Sequence, residues 1–398
     1  MKNTVQEYEW GSRTAISELL GKQVPSPVPQ AELWMGAHPR GPSMVQRDNE
    51  WISLPDLIEA APEDILGKEV KKKFGGRLPY LFKVLAAEKP LSIQAHPNLK
   101  QAKEGFARES KREGAVHSNL RNYKDDNHKP ECLCALTCFW ALNGFRKISD
   151  ILSMTTEICP KGLAHGIENL RNRPHSEGLR RFFKELMIMD KTSREKIIEE
   201  AIVNAAKHVE SNDDSIFRWM LRLHTAYPSD IGVLSPMLLN LVCLKPGQAM
   251  YIPSGRIHAY LQGTAVELMA NSDNVLRCGL TTKHIDVPEL LRILDFEERE
   301  VNILSAEKRS NCESAYSSDA EEFVLSVICP REGLSYRSHS KRGVEIIFCA
   351  QGRAKISGFR ENNTVMLFSG TSIMIPASVE RYTIEGSAKL YKASVNFL

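Results

Sequence analysis

Gly247-Gln-Ala-Met-Tyr-Ile-Pro253-Ser-Gly255-Arg-Ile-His258 is the stretch on which the fold turns. As backbone it reads as a strand, a tight bend at Pro253–Gly255 and a returning strand that opens on an imidazole. Tyr260 and Gln262 share the His258 face, because alternate strand residues point the same way. The spacing recurs further on. Gly370 and Pro376 are again five residues apart, and Arg381 stands where the first copy has His258. Two copies of one corner predict two related β-domains, the second a degenerate repeat without a metal.

Around these corners the periodicity changes twice. Residues 1–145 mix short strands with a few helices. The pattern predicts a helix over Thr14–Leu20 closed by Gly21, a helical Leu54–Leu66 interrupted by Pro62, and strands at Leu81–Ala86 and Leu91–Ala95. A further helix is expected to start at Pro97 and run to about Lys111. Residues 146–228 are helical in period. Phe182, Phe183, Leu186 and Met187 fall on one stripe, Thr192 and Glu195 have capping-box spacing, and Asp214 is placed to cap a helix that turns Trp219, Met220 and Leu223 inward. Strand signals return at Ile231, with a short helix at Val287–Ile293, and continue from 298 to the end. The expected architecture is mainly β with an α insertion. A jelly-roll β-domain would take 1–145 and 229–297, a helical insertion 146–228, and a second, metal-free β-domain 298–398.

Composition narrows the partners. The 52 Lys and Arg against 49 Asp and Glu leave a net charge of +3, without a basic block carrying interleaved aromatics. That argues against nucleic acid. No apolar run has the length of a membrane span or of a signal-peptide core. The nine cysteines are odd in number, contain no C-x-x-C pair and sit mostly in apolar company, as reduced thiols of a cytoplasmic protein do. A monomer or weak homo-oligomer acting on a small molecule is expected.

Ser92-Ile-Gln94-Ala-His96-Pro97 carries the chemistry. Ser92, Gln94 and His96 would share one strand face and Leu91, Ile93 and Ala95 the other, the apolar side suiting a sandwich core. With His258, and with Glu131 of His128-Lys129-Pro130-Glu131, they give two imidazoles, one carboxylate and one amide oxygen. Such an N2O2 set leaves room for water or substrate oxygens, as at catalytic zinc. Two histidines and a carboxylate also describe an oxygenase iron triad, although Gln94 would fill a position that triad keeps open. Singly, a strand histidine is more often a hydrogen-bonded core residue than a ligand; the combination carries the reading.

The corner Gly247-x5-Pro253-Ser-Gly255-x-x-His258 resembles the second cupin motif. Further segments resemble the type I mannose-6-phosphate isomerase family: Tyr8-Glu-Trp10-Gly11, Glu32-Leu-Trp34-Met-Gly36-Ala-His38, Pro79-Tyr-Leu-Phe-Lys83, Gln94-Ala-His96-Pro97-Asn, His128-Lys129-Pro-Glu131, and Glu267-Leu-Met-Ala-Asn-Ser272-Asp273-Asn274-Val-Leu-Arg277. They span nearly all of the first β-domain and skip the helical insertion. The resemblance implies a cupin-type jelly roll that binds one zinc ion through Gln94, His96, Glu131 and His258. It implies interconversion of mannose 6-phosphate and fructose 6-phosphate through a cis-enediol. Arg277 matches the family's active-site arginine. Ser92, Lys83 and Lys283 match residues associated with the substrate phosphate, and Lys129, Glu267 and Asp273 match others lining the cavity. Tyr260 is expected on the substrate side, and Trp10 could stack beneath the sugar. One departure is Leu280-Thr-Thr282-Lys283, where the family usually has proline in place of Thr282; its loss frees a backbone angle beside Lys283. A sugar-phosphate-binding regulatory cupin without turnover is the alternative.

Overall fold

The strand that opens at His258 runs thirteen residues, His258–Ala270, and organises the first β-domain. Its first half pairs with Ile93–Ala95 and Phe139–Phe145, its second half with Tyr80–Ala87 and Glu131–Ala135. The change of partners falls at Gly263, whose φ of +126° follows a register shift after Tyr260. A Cβ at Gly263 would lie 2.5 Å from the Cys138 carbonyl oxygen, so only glycine allows the bend there. This geometry comes from a computed structural model that describes residues 1–47, 49–111, 121–158, 160–209, 216–358 and 364–396.

Among the described residues ten strands form the first sheet system and eight the second. Within the first, between its strands Phe139–Phe145 and Leu239–Leu244, the chain inserts the helices Ile148–Ile158, Ala164–Asn172, Ser176–Met187, Lys191–Lys207 and Ile216–Ala226. Phe182, Phe183, Leu186, Ile197, Ile198, Trp219 and Met220 pack in one buried cluster with Ile93, Ala95, Leu276 and Cys278 of the sheet. The apolar face of the Ile93–Ala95 strand therefore meets helices, where a second sheet was expected. The helices shut that face off from water, so the alternating polar side chains point the other way, into the roll.

Helix ends differ from expectation in instructive ways. The helix after Pro97 spans Leu99–Ser110 and is closed by a capping box between Asn98 and Gln101, so the proline precedes the cap. The long helix Lys191–Lys207 is capped by Asp190, which accepts from the Ser193 N–H; the Thr192–Glu195 spacing lies inside its first turns. Asp214 falls outside the described residues. Ile231–Leu238 forms two short helical turns, and the strand starts only at Leu239. Leu54–Leu66 does divide at Pro62, into Leu54–Ala60 and Pro62–Leu66, and Val287–Ile293 is helical over the expected residues behind an Asp286 cap.

The two corners are structurally alike. Gly247 and Gly370 take φ of +88° and +82°, and each leads into a four-residue strand, Ala249–Ile252 or Ser372–Ile375. Ile252 lies opposite Glu131, and Ile375 opposite Glu345. Leu133, two residues beyond Glu131, pairs with Glu267; Ile347, two beyond Glu345, pairs with Lys392. The second domain thus keeps a buried carboxylate at the Glu131 position and carries an ammonium where the first has Glu267. Lys392 Nζ lies 3.3 Å from Glu345 and 2.7 Å from Glu313, and it donates to Tyr336 Oη at 3.1 Å. Tyr382 Oη donates to Glu345 at 2.8 Å.

The domains share a core in which Phe82, Leu268, Cys132 and Cys134 meet Ile346, Phe348 and Tyr391. Tyr316 Oη donates to the Gly247 carbonyl at 2.8 Å, and His128 meets Glu322 at 2.6 Å. None of the described cysteines forms a disulfide, and no helix among the described residues is long and apolar enough to cross a membrane.

Removing one member of a buried ion cluster strands the others. Lys392→Met should lower unfolding stability by about 3–5 kcal/mol, with Glu345→Gln added in the same chain recovering part of the loss. Urea unfolding of the two variants checks both.

Candidate metal centre

Three neighbouring strands set His258, Gln94 and Arg277 abreast. His258 is the register partner of Gln94 on one side, and Arg277 its partner on the other. Directly opposed residues of antiparallel strands project from the same face, so all three enter the roll together. His96 follows immediately after the same short strand, and Glu131 opens the strand Glu131–Ala135 across the interior.

The His96 and His258 Nε2 atoms each lie 3.3 Å from a Glu131 carboxylate oxygen, one on Oε1 and one on Oε2. The Gln94 amide is 3.3 Å from His258 Nε2. Both histidine tautomers are fixed from behind. His96 Nδ1 faces the Asn274 carbonyl at 2.7 Å and His258 Nδ1 the Arg256 carbonyl at 2.9 Å; a carbonyl only accepts, so each Nδ1 carries the proton. Each Nε2 then presents a lone pair toward the carboxylate. Burial, with Lys129 adding, lowers the His96 pKa to about 4, so its ring is neutral at neutral pH. Burial alone would raise the Glu131 carboxyl, but Lys129 and His96 outweigh it and hold it well below the usual range. His96 Nε2 is buried and has no hydrogen-bond partner. Two imidazole lone pairs converging on a buried carboxylate repel one another unless a cation sits among them. Among the described residues, His96, Glu131 and His258 form a group able to hold a metal ion.

A chain of buried polar groups leads away from this centre. Tyr260 Oη donates to Glu267 at 2.7 Å and lies 3.2 Å from Glu131. Glu267 pairs with Lys83 at 3.1 Å; Lys83 is 3.8 Å from Glu32, which accepts from Trp34 Nε1 at 2.6 Å. Lys83 was expected at a phosphate site, but its ammonium is buried and engaged with these carboxylates. Burial would lower its pKa, and Glu32 and Glu267 raise it instead. Lys129 Nζ sits 3.1 Å from Glu131. Trp10 stacks on Tyr8 and packs with Leu91 against a buried cluster, a packing position.

On the other side of Arg277 the charge is positive. Arg277 lowers the Lys283 pKa, with burial and Arg40 adding. Lys124 is lowered first by burial, and Arg40, Arg277 and Lys283 push the same way against Asp273. Asp273 is bound by Arg40 at 2.6 Å and His38 at 3.3 Å; these and Lys124 hold it far below its usual pKa, against the effect of burial. Ser92 lies half-buried just before the Ile93–Ala95 strand. The missing proline at 282 is compensated locally. The Lys283 N–H donates to Thr281 Oγ1 at 3.1 Å and the Thr281 N–H to Asp230 at 3.1 Å, a side-chain turn in place of a ring. Arg40, Lys124 and Asn274 were missed as site residues; Asn271-Ser-Asp273-Asn274 reads as an ordinary turn, and nothing local marks its long-range partners.

Residues 1–148 match the family model of the type I phosphomannose isomerase catalytic domain. The chain is 40% identical to mannose-6-phosphate isomerase of Shigella flexneri, over 98% of this chain and 97% of that protein. It is 38% identical to the human mannose-6-phosphate isomerase over 73% of this chain and 71% of that one. A solved variant of phosphomannose isomerase from Salmonella typhimurium superposes with a TM-score of 0.92 at 37% identity, covering 100% of this chain and 98% of that one. A mannose 6-phosphate isomerase bound with zinc and yttrium gives 0.90 at 37% identity, covering 100% and 98%.

His258→Ala removes one of the two imidazoles and should abolish tight divalent-metal binding. Calorimetric titration of the metal-stripped variant with zinc checks this; one tight site persisting there would contradict the assignment.

Proposed function

Because this chain belongs to the type I mannose-6-phosphate isomerase family, we propose that it interconverts mannose 6-phosphate and fructose 6-phosphate with one zinc ion held by Gln94, His96, Glu131 and His258. The observation that carries the reading is the buried His–Glu–His group whose His96 Nε2 lacks any other partner. When bound, zinc supplies Lewis-acid polarisation of the sugar oxygens at C1 and C2.

The chain's own residues account for the rest. The reaction moves a proton between C1 and C2, and negative charge builds on oxygen in the cis-enediol. Arg277, in register with Gln94, presents a fixed cation beside the metal ligands and stabilises that charge. Burial lowers its pKa, and among the described residues no carboxylate offsets that effect, as suits a cation that meets an anionic substrate. Glu267 takes and returns the proton. Burial raises its carboxyl against the opposing pull of Lys83, which brings it nearer the range a general base needs. Tyr260 and Lys83 hold that carboxylate in place, and Lys129 orients Glu131.

Lys283, with Arg40, Lys124 and Ser92, receives the phosphate through charge-assisted bonds. Asp273 anchors Arg40, and its low pKa makes it a poor base. A regulatory cupin without turnover is disfavoured by the placement of Arg277 next to the metal ligands, since binding alone does not require a cation at the reacting carbons.

A coupled assay in both directions tests the reading on zinc-loaded protein; absence of turnover with both sugar phosphates would overturn it. Arg277→Ala should retain zinc while kcat falls by about 10²–10³, and an unchanged kcat would remove this residue from the reaction.

A further inference from the structure

Between the metal centre and the cationic end stands Asn274, which is fully buried and uses all the hydrogen-bonding capacity of its side chain. Its Nδ2 donates to the Asp125 carbonyl at 2.8 Å, to Asp125 Oδ1 at 3.2 Å and to the Asn127 carbonyl at 2.8 Å. Its Oδ1 accepts from the Lys124 N–H at 2.7 Å and the Asp125 N–H at 3.2 Å. Asp125 returns the grip, accepting from Ser272 Oγ at 2.7 Å and from the Asp273 N–H at 2.7 Å. The Asn274 backbone carbonyl is the acceptor for His96 Nδ1. Segments nearly 150 residues apart in sequence are thus clasped at one point.

From that point three functional elements extend. His96 hangs from the Asn274 carbonyl. Arg277 follows three residues later on the strand Leu276–Gly279. The clasped segment 124–127 carries Lys124 and continues into Lys129 and Glu131. We propose that Asn274 and Asp125 form a positioning clasp that sets the distance between the metal and the cations receiving the substrate's phosphate, so that it acts on metal affinity and on substrate fit at once. The inference rests on the functional reading above for what the cations bind, but not for its effect on the metal.

The physical argument is one of buried polarity. An Asn274→Ala change takes the buried amide away from the Asp125 carbonyl and the Lys124 N–H and leaves the Asn127 carbonyl only Ser272, so segment 124–127 loses the contacts that hold it against residues 272–274. The carbonyl that fixes the His96 tautomer belongs to the same residue and moves with it. Partners behind a metal-ligating histidine tune its affinity by about 10- to 100-fold.

Two variants test the clasp, Asn274→Ala and Asp125→Ala, the second leaving Asn274 itself intact. Zinc affinity of each is measured by chelator competition, and kcat and KM separately after zinc saturation. The expected result is zinc binding weakened about 10- to 100-fold in Asn274→Ala, a smaller loss in Asp125→Ala, and a raised KM in both that saturating zinc does not restore. Arg277→Ala serves as the contrast, since it should alter turnover without touching zinc affinity. Folded variants with parental zinc affinity would overturn the proposal, as would weakened zinc binding with parental KM. If Asn274→Ala does not fold, Asp125→Ala decides by the same two readouts. Activity of the parent chain tests the functional reading separately.

Discussion

At the centre of the first roll a buried carboxylate faces two imidazole lone pairs, an arrangement that a bound cation completes. Glu131, His96 and His258 meet where water is excluded, with 3.3 Å between each Nε2 and the nearest carboxylate oxygen. A divalent cation among them turns mutual repulsion into coordination. Much of the architecture serves to create that demand. One thirteen-residue strand spans both halves of the roll, so His258 near its start and Glu267 further along hang from a single backbone. Helices seal the apolar side of the neighbouring strands and force the polar side inward. Backbone carbonyls behind both rings determine which nitrogen is left to coordinate.

The charge around this centre is graded. On one side, the Tyr260 hydroxyl links the carboxylates of Glu131 and Glu267, and the Lys83 ammonium lies between Glu267 and Glu32. On the other side Arg277, Lys283, Lys124 and Arg40 stand together with Asp273 as their counter-charge. A sugar phosphate is uncharged at its reacting carbons and doubly anionic at the far end. The site has the complementary polarity, cationic at one end only, as electrostatic orientation of such a molecule would need.

Local sequence revealed those parts of the molecule that local physics determines. Alternation in Ser92–His96 separates an apolar from a ligand-bearing face because a strand has a period of two, and Pro62 breaks its helix through the N–H it lacks. Readings failed where a distant partner decides. Nothing near Lys83 says that Glu267, on the neighbouring strand, will neutralise it. The Asn271–Asn274 turn is legible as a turn, yet its asparagine is buried by a segment almost 150 residues away. The sandwich core expected behind Ile93 and Ala95 became a helical one because a strand's apolar face records that it is covered, not by what. The missing proline at 282 suggests lost rigidity, but hydrogen bonds to Thr281 and Asp230 hold the backbone there, the second from 51 residues away.

The second roll answers the same electrostatic problem by other means. Its Glu345 sits where the first roll has Glu131, but it is met by the tethered cations Lys392 and Arg342 and by no pair of imidazoles, and those cations are synthesised with the chain. Such counter-ions cannot be chelated, diluted away or exchanged for a competing element. The two halves therefore differ in what they owe to the cell's trace-element supply. The carboxy-terminal roll's side of the shared core is held by charges that belong to the chain itself.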